Sequence, residues 1–87
     1  MLFMTHYDIT PEHRNESLER FLAFGEGCPA GVKLLNHYQS VTMLEGWGLI
    51  EADNAAAITK ALYGWTDLNV NNVIPVVDAA ELQGIVK

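Results

Sequence analysis

The chain contains little cysteine and proline and no long hydrophobic run. Its 87 residues include one cysteine and three prolines. The lone Cys28 excludes an internal disulfide, so a cytoplasmic location is the default expectation. The opening letters MLFM are too short an apolar run for a signal-peptide core, and no stretch of the sequence is long enough to span a membrane. We therefore expect one soluble domain over residues 1–87.

Positive charge is scarce as well. Five Lys and Arg residues stand against eleven Asp and Glu residues, which gives a formal net charge of -6. This balance repels phosphate backbones and anionic lipid surfaces, so we expect neither a nucleic-acid partner nor a membrane partner. Apolar residues make up 49% of the chain, enough for a hydrophobic core. Because the chain is near the lower size limit for a self-sufficient core, a partner subunit would add stability.

The first part of the sequence predicts a strand followed by a helix. Residues 2–9 are aromatic and apolar with few polar interruptions, which is typical of a strand. Thr10 as N-cap and Pro11 at the first helical position predict that a helix begins there. Gly25, Gly27 and Pro29 predict its end.

The second part predicts a hairpin, a helix and a further strand. Two strands are expected at about 32–39 and 43–52, with Asp53 or Asn54 capping a helix that follows. Residues 68–77 form the last predicted strand, and Pro75 indicates a sheet edge or a bulge because proline cannot donate a ladder hydrogen bond. The tail, residues 78–87, is predicted as one helical turn with a short extended end.

The order β-α-β-β-α-β predicts an α+β fold of the ferredoxin-like plan, with a four-stranded antiparallel sheet and two helices on one face. The second face would then be bare, yet the strands do not alternate cleanly between apolar and polar residues. At the usual strand spacings a dozen same-face residues cover about 400 Å². An apolar area of that size marks an interface or a binding surface, and the simplest cover is a second copy related by a two-fold axis.

Several segments resemble one family of proteins. PAGVKLLNHYQS, GWGLIEADN, YGWTDL and VIPVVD are similar to an uncharacterised family of about ninety residues, a domain of unknown function with the dimeric ferredoxin-like α/β-barrel fold. The resemblance spans nearly the whole chain. It implies a homodimer whose two sheets face each other and enclose a cavity, and it implies no catalytic residue. Relatives of this fold include heme-degrading and quinone-forming monooxygenases, muconolactone isomerases and stress-responsive proteins, which share architecture only.

Glu51 is the first candidate for chemistry. If Gly48, Ile50 and Ala52 face the helices, then Trp47, Leu49 and Glu51 face the bare side of the sheet, because small residues suit close helix packing. A glutamate in a half-apolar cleft could act as a general acid or base. The alternative is an ion pair that only holds the register of the sheet or the dimer, and we favour this structural interpretation.

His6 and His37 are further candidates within strands. By strand period, His6 shares a face with Leu2 and Met4, and His37 with Lys33 and Leu35. If both imidazoles pointed inward near Glu51, they could form a general-base dyad or two ligands of a metal. Three scattered histidines without close spacing, and no second cysteine, are a weak metal signal, so we expect no metal and no cofactor.

The aromatic residues Trp47, Tyr7 and Tyr38 are candidate walls of a binding cavity, and Trp47 between two glycines could stack on a planar ligand. The commoner role of such residues is interface core.

Two functions remain open. One is a homodimer that binds a small apolar or aromatic ligand, or a purely structural dimer. The other is a cofactor-independent monooxygenase-like or isomerase-like enzyme that transfers protons through His6, His37 or Glu51.

Overall fold

Four strands and three α-helices make up the described part of the chain, residues 1–24 and 29–87, in a computed structural model. The α+β class and the order β-α-β-β-α-β are confirmed. Gly25, Gly27 and Cys28 lie outside the described residues. The elements are β1 (Leu2–Ile9), a 3-10 turn (Pro11–His13), α1 (Arg14–Phe24), β2 (Val32–Gln39), β3 (Glu45–Ala52), α2 (Ala55–Leu62), β4 (Asn69–Val76) and α3 (Ala79–Val86).

The strands form one antiparallel sheet in the order β2-β3-β1-β4. β1 and β2 are both antiparallel to β3, so they run parallel to each other with β3 between them. β2 and β3 form the predicted hairpin. Among the described strands, β4 pairs only with β1 and is an edge strand, which agrees with the position expected for Pro75.

Local side-chain chemistry sets where the helices begin. Asn54 is the N-cap of α2, where its side chain accepts a 2.9 Å hydrogen bond from the backbone N–H of Ala57. Thr10 makes no such cap. Its hydroxyl instead bonds to His13 Nδ1 at 2.9 Å, and Pro11 opens a 3-10 turn before α1 begins at Arg14. The helix predicted from Pro11 therefore starts one turn later.

A β-bulge in β2 changes which side chains share a face. Leu34 lies opposite Ile50, but the register shifts between Leu34 and Asn36, so that His37 lies opposite Gly48. An extra residue in one strand moves all later side chains to the other face. The expected alternation that placed His37 with Lys33 and Leu35 is therefore wrong, and His37 lies on the helix-covered side.

The hydrophobic core lies between the sheet and α2. Phe3, Ile50, Ala52 and Ile58 are each at most 7% exposed and pack together. Burying a side chain the size of Ile58 contributes about 1.5–3 kcal/mol to the free energy of folding. α1 contributes no described residue to this cluster, and its Leu22 is 81% exposed.

The other sheet face carries exposed apolar side chains. Met4, Trp47 and Ile74 are 42%, 39% and 62% exposed, and all three lie on that face by the strand register. We call this surface the open face. The predicted orientation of Trp47, Leu49 and Glu51 away from the helices is confirmed, since Gly48, Ile50 and Ala52 are buried on the opposite side.

The C-terminal tail forms a helix rather than one turn with an extended end. Asp78 caps α3 by accepting a 2.7 Å hydrogen bond from the Glu81 backbone N–H, and the helix continues to Val86. Every residue of α3 is exposed, including Leu82 and Ile85. No helix within the described ranges is long and apolar enough to cross a membrane.

Candidate functional site

A cavity of about 410 Å³ lies between the two covering helices and the sheet. Leu18 and Phe21 of α1 and Leu62 of α2 form its apolar walls, and Trp65 borders it from the loop after α2. α1 lines the cavity with its side chains but does not fill it. The cavity is therefore on the helix side of the sheet, and the open face is not part of it.

Two glycines of β3 make room for this arrangement. A Cβ atom at Gly46 would overlap the ring of Tyr7, and one at Gly48 would come within 2.9 Å of the Thr5 hydroxyl oxygen and 3.5 Å of Leu34. Gly48 itself lines the cavity. Gly46 thus lets the Tyr7 ring lie against β3, and Gly48 leaves space in the cavity floor.

Tyr7 and His37 form a hydrogen-bonded pair in the cavity wall. The Tyr7 hydroxyl lies 2.7 Å from His37 Nε2, and the two ring centroids are 5.8 Å apart. Phe21 packs against the imidazole with its centroid 5.9 Å away. Which group donates depends on the imidazole tautomer. With the proton on Nδ1, the Tyr7 hydroxyl donates to Nε2 and its oxygen can still accept from a ligand.

Burial raises the pKa of the Tyr7 phenol, because the half-buried site disfavours the phenolate. A hydrogen bond with the Gln39 side chain acts in the opposite direction and is the smaller effect. The phenol therefore keeps its proton at neutral pH. Tyr7 is suited to donate a hydrogen bond or a proton, and poorly suited to act as an anionic base.

Further polar groups line the same cavity from β4. Asn69 is buried and accepts a hydrogen bond from the side-chain amide of Asn71. Gln39 at the end of β2 also borders the space. These amides lie near the Tyr7 and His37 pair, so one part of the wall is polar while the helix side is apolar.

Arg20 joins α1 to the loop that carries Trp65. Its guanidinium donates to the Gly64 carbonyl at 2.7 Å and to both carboxylate oxygens of Asp67 at 2.7 and 3.1 Å. It also lies 6.0 Å from the centroid of the Trp65 ring. The hydrogen bonds from Arg20 hold the pKa of Asp67 below its usual value. Glu16, four residues before Arg20 on α1, also lies 3.6 Å from the guanidinium, but Asp67 is the closer partner.

The structure divides the predicted site residues between two faces. Tyr7 and His37 line the helix-side cavity. His6, Trp47, Tyr38 and Glu51 are on the open face, where Tyr38 lies opposite Trp47.

His6 does not meet His37 or Glu51. It lies opposite Trp47 in the β1–β3 register, whereas Glu51 lies opposite Leu2, four residues away along β1. At strand rise this separation is about 14 Å. His6 instead contacts Glu45, and Glu51 is exposed beside Lys33. In the helix-side cavity, the structure thus brings together His37 and Tyr7 of the candidate set, while His6 and Tyr38 lie beside Trp47 on the open face.

Sequence reasoning missed Arg20 with Asp67, Gly46 and the asparagines of β4. The first pair is forty-seven residues apart, so only the fold brings it together. Gly46 carried a usable signal, because a glycine within a strand indicates close approach of another group.

The whole chain, residues 1–87, matches the family model described as a domain of unknown function (DUF3303). Among curated proteins, none matches the chain. The expected resemblance to an uncharacterised family is therefore confirmed. The family description assigns no reaction and no site residue, so any functional conclusion has to come from the geometry of this chain.

Proposed function

The chain belongs to the DUF3303 family, and we propose that it is a small-molecule-binding protein whose ligand occupies the helix-side cavity. The observation that carries this proposal is the cavity itself. Its volume of about 410 Å³ falls within the range of roughly 300–1,000 Å³ that is usual for ligand sites. Apolar walls with a few convergent polar groups are the usual composition of such a site.

The lining indicates the chemistry of the ligand. Phe21, Leu62 and Trp65 offer apolar and aromatic surface, while Tyr7 and His37 offer a hydroxyl and an imidazole. Among the described residues that line the cavity, none is Asp, Glu, Lys or Arg. Because an unpaired charge is costly to bury, a neutral ligand is favoured. We infer a planar apolar or aromatic molecule that carries one hydroxyl or carbonyl group.

A second copy of the chain is the proposed cover of the open face. The exposed Met4, Trp47 and Ile74 support this, as does the area of about 400 Å² for such a face. The exposed Leu82 and Ile85 of α3 would extend the apolar contact. In this arrangement two ferredoxin-like sheets face each other as a dimeric α/β barrel, and each copy keeps its own helix-side cavity.

Ligand binding can be tested with a tryptophan reporter. The chain has two tryptophans, so Trp47→Phe leaves Trp65 at the cavity as the only one. Titration of this variant with 2-naphthol, a planar neutral phenol, should give a saturable change in Trp65 emission. Adding Gly48→Leu should abolish the change by filling the cavity floor. Ala61→Leu, which narrows the cavity from α2, serves as a second variant if Gly48→Leu does not fold.

An equal change in Trp65 emission with and without Gly48→Leu or Ala61→Leu would reject the cavity as a ligand site. The absence of any saturable change in Trp47→Phe would reject it as well. Circular dichroism of each variant establishes that it is folded before titration. The Trp65→Phe protein, which reports from Trp47 on the open face, should show no saturable change with the same phenol, because Trp47 lies on the opposite side of the sheet.

The alternative function is a cofactor-independent isomerase-like or monooxygenase-like enzyme. The 2.7 Å contact between Tyr7 and His37 favours this alternative, because a general acid or base must lie within hydrogen-bond reach of its proton partner. In that case His37 transfers the proton, and Tyr7 orients the imidazole. A panel of enolisable and phenolic substrates should then show turnover that is lost in His37→Ala. Unchanged turnover in His37→Ala and in Glu51→Gln would remove both residues from the mechanism.

A further inference from the structure

Two carboxylates lie directly opposite each other at one end of the open face. In the register of β1 and β3, Asp8 pairs with Glu45. Like charges at directly opposite positions of antiparallel strands destabilise a sheet. The chain already carries a net charge of -6, so this repulsion is not relieved by a general excess of positive charge. A cation between the two carboxylates would remove it.

His6 completes a set of three metal-binding side chains at this position. Its Nε2 atom lies 3.1 Å from Glu45 Oε2 and 3.9 Å from Asp8 Oδ1. One ligand atom from each of the three residues lies within 4.8 Å of the others. Ligands of a transition metal at about 2.1 Å are separated by roughly 3.0–3.5 Å, so side-chain rotation alone would close the set around an ion.

The surroundings hold the imidazole in place. Trp47 packs against the ring of His6, with centroids 5.4 Å apart and planes tilted by 40°. The neighbours across the β1–β4 register are neutral, since His6 lies opposite Asn72 and Asp8 opposite Val70. All three ligand side chains are partly exposed, which leaves room for water at the remaining coordination positions.

We propose that His6, Asp8 and Glu45 bind a divalent transition-metal ion on the open face, with His6 Nε2 and one oxygen of each carboxylate as ligands. An imidazole ligand favours zinc, copper or nickel over magnesium and calcium, which prefer oxygen ligands alone. Two carboxylates balance the charge of the ion. This site is separate from the helix-side cavity, because His6 points to the other face of the sheet.

The direct test is calorimetric titration of the metal-free protein with zinc chloride, supported by the visible absorption of the cobalt(II) form. We expect one ion per chain, and at least tenfold weaker binding in His6→Ala and in Glu45→Gln. His13→Ala is the matched control, because His13 is an exposed histidine bonded to Thr10 and is not a member of the His6, Asp8 and Glu45 cluster. Its affinity should be unchanged. A zinc dissociation constant above about 1 mM for the wild type would overturn the proposal. So would a loss of zinc affinity in His13→Ala as large as the loss in His6→Ala.

Thermal unfolding separates a metal site from a simple ion pair. Without metal, Glu45→Gln should unfold at an equal or higher temperature than the wild type, because it relieves repulsion with Asp8. With zinc, the wild type should gain stability by ligand linkage and the variant should not. A lower unfolding temperature of Glu45→Gln in both conditions, with no zinc effect on the wild type, would mean an ion pair only and would contradict the proposal.

The outcome of the zinc experiment is independent of the proposed ligand cavity. Gly48→Leu should lose 2-naphthol binding and keep zinc binding, and Glu45→Gln should show the reverse. A variant that lost both 2-naphthol binding and zinc binding would be globally unfolded, and circular dichroism of the same sample detects that. Loss of phenol binding alone leaves the metal site supported, and loss of zinc binding alone leaves the cavity supported.

Discussion

The Tyr7 hydroxyl and His37 Nε2 lie 2.7 Å apart although the two residues are thirty positions apart in the sequence. They sit on β1 and β2, strands that do not pair with each other because β3 runs between them. The contact crosses above Gly46 and Gly48, whose missing side chains leave space for it. This relationship defines the polar part of the helix-side cavity.

Tyr7→Phe should weaken 2-naphthol binding severalfold and reduce the free energy of unfolding by about 1 kcal/mol, since it removes one partly buried hydrogen bond. Titration of the Trp65 reporter and urea unfolding measure the two effects. Tyr38→Phe, a hydroxyl removal at an exposed tyrosine of the open face, is the control and should change neither. Full retention of affinity in Tyr7→Phe would exclude the hydroxyl from ligand binding.

Stability should decrease at alkaline pH because of Tyr7. Burial raises the pKa of its phenol above the usual value of 10.0, so the folded state holds the proton more tightly than the unfolded state. The stabilisation is fully present below the unfolded pKa of about 10 and is lost as the pH rises through the folded pKa. Urea unfolding from pH 8 to 11 measures this loss, which should be smaller in Tyr7→Phe. Identical pH profiles of the two proteins would contradict the assignment.

Gly46→Ala should reduce the free energy of unfolding by about 1–3 kcal/mol, because the new methyl group overlaps the Tyr7 ring. Gly84→Ala is the control, since a Cβ there meets nothing within 4 Å and alanine favours the α3 helix. It should be neutral or stabilising. Combining Gly46→Ala with Tyr7→Leu should recover part of the loss. Equal effects of the two glycine substitutions would show that the Tyr7 contact is unimportant.

Asp67→Asn should lower the stability at neutral pH and make it less dependent on acid pH. The hydrogen bonds from Arg20 lower the folded-state pKa of Asp67 below 3.8, so this pair contributes stability above the unfolded pKa, and the contribution is lost as the pH falls through the folded pKa. Acid unfolding followed by circular dichroism should show a smaller decrease between neutral pH and acid for the variant. Glu19→Gln removes an exposed carboxylate of α1 and should leave the profile unchanged.

The dimer proposal predicts that charge on the open face separates the subunits. Light scattering at micromolar concentration should give a dimer for the wild type and a monomer for Trp47→Glu or Ile74→Lys. Leu22→Lys introduces a charge at an exposed position of α1 and should remain dimeric. A stable wild-type monomer under these conditions would reject the homodimer.

The sequence predicts the metal ligands poorly, for a physical reason. His6 and Asp8 are two residues apart on one strand, but Glu45 joins them only through the register of β1 with β3. A search for closely spaced histidines therefore finds no ligand set. The helix-side cavity likewise depends on tertiary packing, because Gly46 and Gly48 make room beneath Tyr7 only once β1 pairs with β3. The cavity expected between two facing sheets stays a prediction.

By itself, the sequence determined the order β-α-β-β-α-β and the face that Trp47 occupies, and it narrowed the α2 cap to Asp53 or Asn54 and Pro75 to a sheet edge or a bulge. These depend on local chemistry and on the two-residue period of a strand. Only the tertiary structure decided where His37 points. One bulge residue after Leu34 reverses the alternation of β2, and a bulge depends on pairing with β3 rather than on local preference. The same pairing decides that His37 meets Tyr7 and that His6 meets Glu45.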